Sequence, residues 1–593
     1  MSPASFAGSY RITGSKVIIR LRNQICDSAE ELLASELCFE IIKRAMLSLQ
    51  KRGSILLRVF GSREINDANI RLLIDTLQFL EKVDADHVLR VVQDSDDFFK
   101  DRNLLNDLVE YLYNFWRGFE RFIVCDSEGD QLDKRPYRTF NRTIEGLTSL
   151  VRQTYRDIQE NISGTHPRIY RQIAAGAEMA VIATPKDVPY PEQGPYRKLL
   201  PVGVIRQILF YPPLVLNPPN NKREGRFERI RENPLDWCDL SRDEWLCYPV
   251  KAGDLLIHVY FSEKFFELGL SMANLFELAT DEDLKRRPDA VYLYGVPPEQ
   301  FKAMDISPTV FYEDEENDML VGAVPACDEL GYFGYLKKMI LTLHNIRKIR
   351  SGKLPFHGAF MKIYLKGEKP ATLLLMGDTG AGKSETIEAM RGFGAELIQD
   401  MVVVADDMGS MELSGDGDVL GYGTETGAFS RLDDLKPGFA LGQIDRAIIM
   451  NPYQVNSRIA LPITTFANVI KGHPVDFVLY ANNYEDLDED HPVIERFTSV
   501  DEAIKIFRGG AVMSKGTTKT TGLVHTYFSN VFGPVQCKAE HDVLAKKFFE
   551  AFFKKGIFVG QMRTRLGVSG WERRGPEESA KALLDLIRND NRF

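Results

Sequence analysis

Over the first 160 residues the apolar positions recur mostly at helical spacing. Ser28 to Gln50 (SAEELLASELCFEIIKRAMLSLQ), Ala68 to Val83, Leu104 to Phe122 and Thr143 to Ile162 all read as amphipathic helices. The acidic first turn of Ser28 to Gln50 favours a helix N-terminus there. Ile55 to Phe60 (ILLRVF) reads as a short strand, and the basic, polar Arg135 to Arg142 as a loop. Tyr111, Tyr113, Phe115, Trp116, Phe119 and Phe122 sit at a spacing that suits a buried core and leaves a partner surface open as the other reading. Residues 1–160 carry no chemistry motif, so they are expected to be a helix-rich accessory domain, available to a protein partner.

From Pro167 short apolar runs alternate with Pro-rich loops. Met179 to Thr184, Val202 to Phe210, Asp254 to Phe261 and Ala290 to Tyr294 predict strands, and Glu263 to Leu278 a helical stretch. The loop Tyr211 to Asn233 carries Lys222, Arg223, Arg226, Arg229 and Arg231, read as a solvated basic loop with anion binding as the alternative. The acidic run Glu313 to Asp318 reads as a solvated turn. Residues 161–330 are thus expected to form a second domain and 331–593 a third.

The third stretch holds the strongest signal, Leu373 to Met390, LLLMGDTGAGKSETIEAM. Gly377, Gly380, Gly382, Lys383 and Ser384 fit G-x-x-x-x-G-K-[ST], with a strand-like run from Thr372 to Met376 before it and a helix-compatible run from Glu385 to Arg391 after it. Glycines let successive backbone N–H groups converge on phosphate oxygens, and the helix start adds its positive dipole end. Gly377, Asp378, Thr379, Gly380, Ala381, Gly382, Lys383, Ser384 and Glu385 are therefore the candidate ATP-binding residues, with Lys383 on the β- and γ-phosphates and Ser384 on Mg²⁺. Downstream, the strand candidate Val402 to Ala405 ends in Asp406 and Asp407, where an acidic residue takes nucleotide-bound Mg²⁺. A glycine-rich stretch with one acid, Glu425, follows. Asn456, Ser457 and Arg458 come after the apolar Ala447 to Met450, and Gly516 to Gly522 (GTTKTTG) carries Lys519.

A net charge of −10 argues against nucleic acid as the main partner. Seven cysteines without a C-x-x-C pair suit a reducing compartment and no structural zinc. The N-terminus lacks an apolar signal core, and no uncharged apolar run reaches the roughly 18 residues of a membrane span, so a cytoplasmic protein without a membrane partner is expected.

Seven segments, taken in order, resemble the ATP-dependent phosphoenolpyruvate carboxykinases. Tyr332-Phe333-Gly334-Tyr335-Leu336-Lys337-Lys338 is similar to the family's Tyr-x-Gly-x-x-Lys-Lys segment, and His357 follows Lys338 by nineteen residues. The P-loop, Asp406-Asp407, Glu425-Thr426-Gly427, Asn456-Ser457-Arg458 and Phe528 to Gly533 (FSNVFG) complete the series. The resemblance covers roughly residues 250–593 and is motif-deep. It implies a mixed α/β, bilobal carboxykinase-like fold, with residues 161–330 as the substrate lobe and 331–593 as the P-loop catalytic lobe, and with ATP and Mg²⁺ or Mn²⁺ as cofactors. It implies that Lys338, His357 and Asp407 hold the metal, that Lys383 and Arg458 flank the phosphoryl group in transit, that Tyr332 sits at the oxaloacetate pocket and that Lys519 lies against the nucleotide. The family's Gly-Arg-Ser-Pro-like loop, whose arginine binds the substrate carboxylate, has no counterpart. Arg168, Arg171, Arg197 and Arg206 are the substitutes considered, or another arginine between Arg168 and Arg231.

Three functions follow as expectations. The first is a carboxykinase reaction, in which oxaloacetate loses CO₂ and ATP phosphorylates the enolate oxygen. The second is a kinase of the same fold acting on another small-molecule hydroxyl or a protein serine, with Asp406 as base. The third is a nucleotide-sensing scaffold.

Overall fold

The computed structural model describes residues 8–21, 26–126, 136–166, 168–170, 172–393, 397–435, 442–515 and 521–590. The chain is mixed α/β and divides into two compact units, one made of Met1–Thr184 with Ile205–Tyr211, the other of Pro185–Val204 with Pro212–Phe593. No helix among the described residues is long and apolar enough to cross a membrane.

The N-terminal unit is helix-rich, as its periodicity predicts, but it is built on a sheet that the helical pattern conceals. Gly8–Thr13 pairs antiparallel with Lys16–Leu21, which pairs parallel with Glu120–Cys125, and that strand pairs parallel with Met179–Thr184. The predicted helix over Leu104 to Phe122 accordingly stops early: the helix is Arg102–Arg117, and Phe122 is wholly buried in the central strand. The single helix expected over Ser28 to Gln50 is two, Ala29–Ala34 and Glu36–Lys51. Ser35 breaks them, its hydroxyl donating to the Leu32 carbonyl at 2.7 Å while accepting from the Cys38 amide. Two further expectations are corrected. Ile55–Phe60 is a 3₁₀ helix, because its capping Ser54 bonds the Leu56 amide and Val59 and Phe60 turn into the helical core. The stretch expected as a loop after Arg135 is the first turns of a long helix, Pro136–Ser163, which starts on proline, whose missing N–H costs nothing at that position. The unit also runs past the expected boundary at 160, since the Trp116 indole donates to the Ala175 carbonyl at 2.6 Å and Arg117 to Ala174.

In the C-terminal unit there is no division near 330. The helix Phe333–Arg350 is buried almost along its whole length because it packs on two sheets at once. One contains Trp245–Ala252, Leu255–Ser262, Ala290–Val296, Met319–Pro325 and Val310–Asp314; the other contains Leu354–Leu365, Ala371–Met376, Phe477–Asn482 and Phe558–Arg563. In the second sheet both faces are covered, so its strands read as continuous apolar runs. Leu374 and Met376 face the aromatic cluster of Phe507, Phe548, Phe549 and Phe552, while Leu373 and Leu375 face Ile387, Met390, Leu583 and Ile587. The backbones of Leu354–Leu365 and Ala371–Met376 approach so closely that a Cβ on Gly358 would lie 2.4 Å from the Leu375 carbonyl oxygen.

This contact gives a test of the frame beneath the site. Gly358→Ala is expected to destabilise the chain by about 1–3 kcal/mol through forced backbone displacement. Urea unfolding with tryptophan fluorescence measures it; a variant as stable as the parent would contradict the close approach.

Candidate active site

The strand Ala371–Met376 delivers the chain into the glycine-rich loop, and the helix Lys383–Gly392 leaves it. Gly382 holds φ +93°, and a Cβ there would come within 2.5 Å of the Thr564 hydroxyl, whose own proton goes to the Ala381 carbonyl. Gly377, Ala381 and Gly382 thus form the packed back of the loop. Asp378, Thr379, Gly380, Lys383, Ser384 and Glu385 line a cavity of about 670 Å³ in the C-terminal unit. Lys383 is not solvent-facing, as a lysine awaiting phosphate is expected to be. It is only 6% exposed, and its ammonium donates to the Gly377 and Asp378 carbonyls at 2.6 and 2.9 Å. Burial lowers its pKa, opposed by Asp407 and Asp378.

Asp407 is the centre of charge in the same cavity. Lys338 donates to its Oδ2, the Lys337 ammonium lies 2.8 Å from that oxygen, and His357 Nε2 lies 3.0 Å from Oδ1. Lys338, His357 and Asp407, grouped in the sequence only by what the family resemblance implies, therefore meet. Burial alone would raise the Asp407 pKa, but Lys337, Lys338 and His357 hold it well below the ordinary carboxylate value. Burial, with the like charge of Lys337 beside it, pulls Lys338 down to about 8 against the pull of Asp407. Lys337 goes the other way: burial disfavours its charge, yet Asp407 and Glu425 more than offset this and raise its pKa. Its ammonium lies 3.1 Å from Glu425, a buried acid that desolvation, reinforced by Asp407, pushes up to about 7. Asp406 is likewise raised, by burial and by Asp407. Neither Lys337 nor Glu425 carries an assigned role from the sequence, although the Lys-Lys doublet and the lone acid in a glycine-rich stretch are visible there.

Both ring nitrogens of His357 face oxygen, Nδ1 the Ser529 carbonyl and Nε2 the Asp407 carboxylate. A neutral imidazole donates from one nitrogen only. With its proton on Nδ1, the Nε2 lone pair points at a carboxylate oxygen, an arrangement that a cation between them resolves. Among the described residues no group of three or more His, Cys, Asp or Glu could hold a metal.

The cavity is also lined by Tyr332, Arg458 and an arginine that the sequence reads as part of a solvated loop, Arg223. Tyr332 is buried at the start of the helix Phe333–Arg350, over Gly334, where a Cβ would lie 2.2 Å from its ring. Burial raises its pKa, while Arg458 and Arg223 oppose. Arg458 lies with its guanidinium 5.7 Å from the Phe429 ring and its buried Nε without a hydrogen-bond partner. Arg223 stacks 4.7 Å from the centre of the Phe532 ring, the ring that Lys338 approaches at 4.8 Å, and burial lowers its pKa. The apolar and aromatic residues of the Pro-rich segment, notably Phe227, which packs near Phe532, fold this part of the basic loop inward. Of the other arginines considered, Arg168 and Arg197 are exposed, Arg206 belongs to the N-terminal unit, and none of the three lines the cavity. Arg171 and Lys519 lie outside the described residues.

The buried charge cluster makes a signed prediction. Lys337→Met leaves Glu425 and Asp407 without their buried cation and is expected to cost about 3–5 kcal/mol at pH 8. At pH 5 the loss should be smaller, because Glu425, with its pKa near 7, is then protonated and neutral. Metal-free urea titrations of parent and variant at the two pH values decide it; an equal or larger loss at pH 5 would refute the Lys337–Glu425 pairing.

No protein-family model and no curated protein matches the chain, so its functional reading rests on the geometry just described.

Proposed function

We propose that the C-terminal unit is a divergent ATP-dependent carboxykinase of the phosphoenolpyruvate carboxykinase type, converting oxaloacetate and ATP to phosphoenolpyruvate, ADP and CO₂. One observation carries the reading: the P-loop lysine, the Lys338–His357–Asp407 cluster, Arg458, Tyr332 and Arg223 all line one cavity. A nucleotide sensor needs only the phosphate cradle, so the other cations argue for phosphoryl transfer. On this reading the two large sheets of the unit correspond to the two lobes of a bilobal carboxykinase-like fold. Free cysteines at all seven positions fit the reducing, cytoplasmic setting that goes with it.

Two nitrogens and a carboxylate suit Mn²⁺ better than Mg²⁺, which prefers oxygen donors. In the tautomer protonated on Nδ1, His357 has a lone pair to offer, Asp407 stays ionised, and Lys338, with its pKa near 8, supplies a neutral amine at little cost. Lys338, His357 and Asp407 would hold the metal, and Ser384 would hold the magnesium that travels with ATP. Bound there, a dication supplies Lewis acidity and countercharge. The protein's own part is electrostatic. Lys383 leaves its loop carbonyls for the β- and γ-phosphates, and Arg458, with an unspent buried N–H, stabilises charge on the transferring group. Arg223 takes the place of the family's missing carboxylate arginine, over the same Phe532 ring that Lys338 approaches. Tyr332 closes the small-substrate end. The enolate acceptor is already anionic and needs no general base.

A second reading, a kinase acting on a small-molecule or protein hydroxyl, is favoured by Asp406. Its raised pKa beside the P-loop lysine suits a base.

ADP formation with and without oxaloacetate, in Mn²⁺ and in Mg²⁺, tests both. Oxaloacetate should raise the rate well above background. Lys383→Ala should lower turnover by at least about 10³-fold. Arg223→Met should raise KM for oxaloacetate by roughly 10- to 100-fold, the value of a charge-assisted hydrogen bond, and leave KM for ATP nearly unchanged. His357→Ala should weaken Mn²⁺ binding. Background ADP formation in the presence of oxaloacetate would discard the carboxykinase reading. Hydroxyl acceptors would then be screened, with Asp406→Asn as the diagnostic loss.

A further inference from the structure

The chain carries Asn-x-Arg at two places 235 positions apart, Asn221-Lys222-Arg223 and Asn456-Ser457-Arg458, and the fold of the C-terminal unit brings them together. Leu214–Leu216 and Ile448–Met450 run parallel in one small sheet, and the Asn451 backbone N–H extends that pairing by donating to the Leu216 carbonyl at 2.9 Å. Beyond the strands, side-chain amides take over. Asn221 Nδ2 donates to the Val455 carbonyl at 2.7 Å, Asn456 Nδ2 to the Asn221 carbonyl at 2.6 Å, and Asn451 Nδ2 to the Asn220 carbonyl at 3.2 Å. Two residues past the reciprocal pair stand Arg223 and Arg458, both lining the cavity.

Apolar packing does not hold the tip of the 451–457 loop, since Tyr453 is 92% exposed and Val455 82%. The amide clasp is also costly. Asn451 and Asn456 have φ of +54° and +71°, a region that asparagine tolerates better than most side chains. Their Oδ1 atoms are buried and have no hydrogen-bond partner, so each amide keeps its donor bond at the expense of its acceptor. Left-handed backbone and unmade bonds concentrated beside a site point to a geometry kept for that site. Arg458 opens the strand Arg458–Pro462, whereas Arg223 lies in the Pro-rich loop and needs an external hold. Both guanidinium groups act on the buried Tyr332, so they serve the same part of the cavity.

We propose that Asn221 and Asn456 are positioning residues, whose reciprocal hydrogen bonds hold the Arg223 loop against the Arg458 strand and so fix the spacing of the two guanidinium groups. On the carboxykinase reading, which supplies the ligands, that spacing seats the acceptor's carboxylate on Arg223 while Arg458 meets the phosphoryl group in transit. A fixed spacing selects an acceptor whose carboxylate and accepting oxygen lie a set distance apart. The clasp itself does not depend on that reading.

The test uses the full chain with Asn221→Ala, at a residue off the cavity wall, and Asn456→Gly, which tolerates the left-handed backbone without the amide. Amide hydrogen exchange followed by mass spectrometry reads the clasp. Each variant should raise exchange severalfold in the segment it does not alter, 451–457 for Asn221→Ala and 217–226 for Asn456→Gly. Exchange that rises only in the altered segment would overturn the clasp. Steady-state kinetics reads its purpose. Asn221→Ala should raise KM for oxaloacetate severalfold and leave KM for ATP nearly unchanged. Combined with Arg223→Met, it should give a KM no higher than Arg223→Met alone, because the clasp acts through that arginine. KM increases that multiply would overturn the positioning role. A parent inert towards oxaloacetate would discard the carboxykinase reading, and the exchange comparison would still decide the clasp. Should Asn456→Gly fail to fold by circular dichroism, Asn221→Ala decides both measurements.

Discussion

The candidate site depends on a single carboxylate. Asp407 ends a strand pairing, and around it converge two adjacent lysines from one helix and a histidine from the neighbouring strand. Three buried cationic or potentially cationic groups around one anion are stable only as a set, since each lone charge would carry a desolvation cost of several kcal/mol. Glu425 completes the balance, half-titrated near neutrality. The charge balance favours one phase of the helix Phe333–Arg350 on the sheet that carries the P-loop. In that phase Tyr332 and Lys338 both line the cavity. The chemistry of the cavity and the docking of its longest helix are therefore one constraint.

Much of the framework of the candidate site was legible in the sequence because its signals are local. A strand, a glycine-rich turn and a helix start lie within twenty residues of one another, and the run Leu373 to Met376 is apolar because both faces of its strand are covered. Only the resemblance to the carboxykinases linked Lys338 to His357. Arg223 was hidden for the opposite reason. Five basic residues in a Pro-rich loop resemble a solvated surface, yet Lys222, Arg223 and Arg226 line the cavity, with Arg223 stacked on Phe532, which packs near Phe227.

The N-terminal unit shows where periodicity fails. Glu120–Cys125 follows a helix so closely that its alternation is absorbed into the helical pattern, and Ser35 divides a run whose apolar spacing continues smoothly across it. A cap is a hydrogen-bond event and leaves the hydrophobic register untouched. The same argument covers Ile55–Phe60, whose β-branched and aromatic residues favour extension until Ser54 commits the backbone to a turn.

The resting position of Lys383 has a consequence for what the loop admits. Its ammonium is held by two carbonyls of the loop itself, which take two of its three N–H donors, so full engagement of the lysine by an incoming anion exchanges these carbonyl bonds for bonds to the anion. A singly charged ion such as chloride or acetate offers one weak exchange for two short bonds. A polyphosphate offers several charge-assisted bonds to the lysine and to the backbone amides together. On the proposed nucleotide-binding reading, the loop would favour the charge density of a triphosphate over the abundant monovalent anions around it.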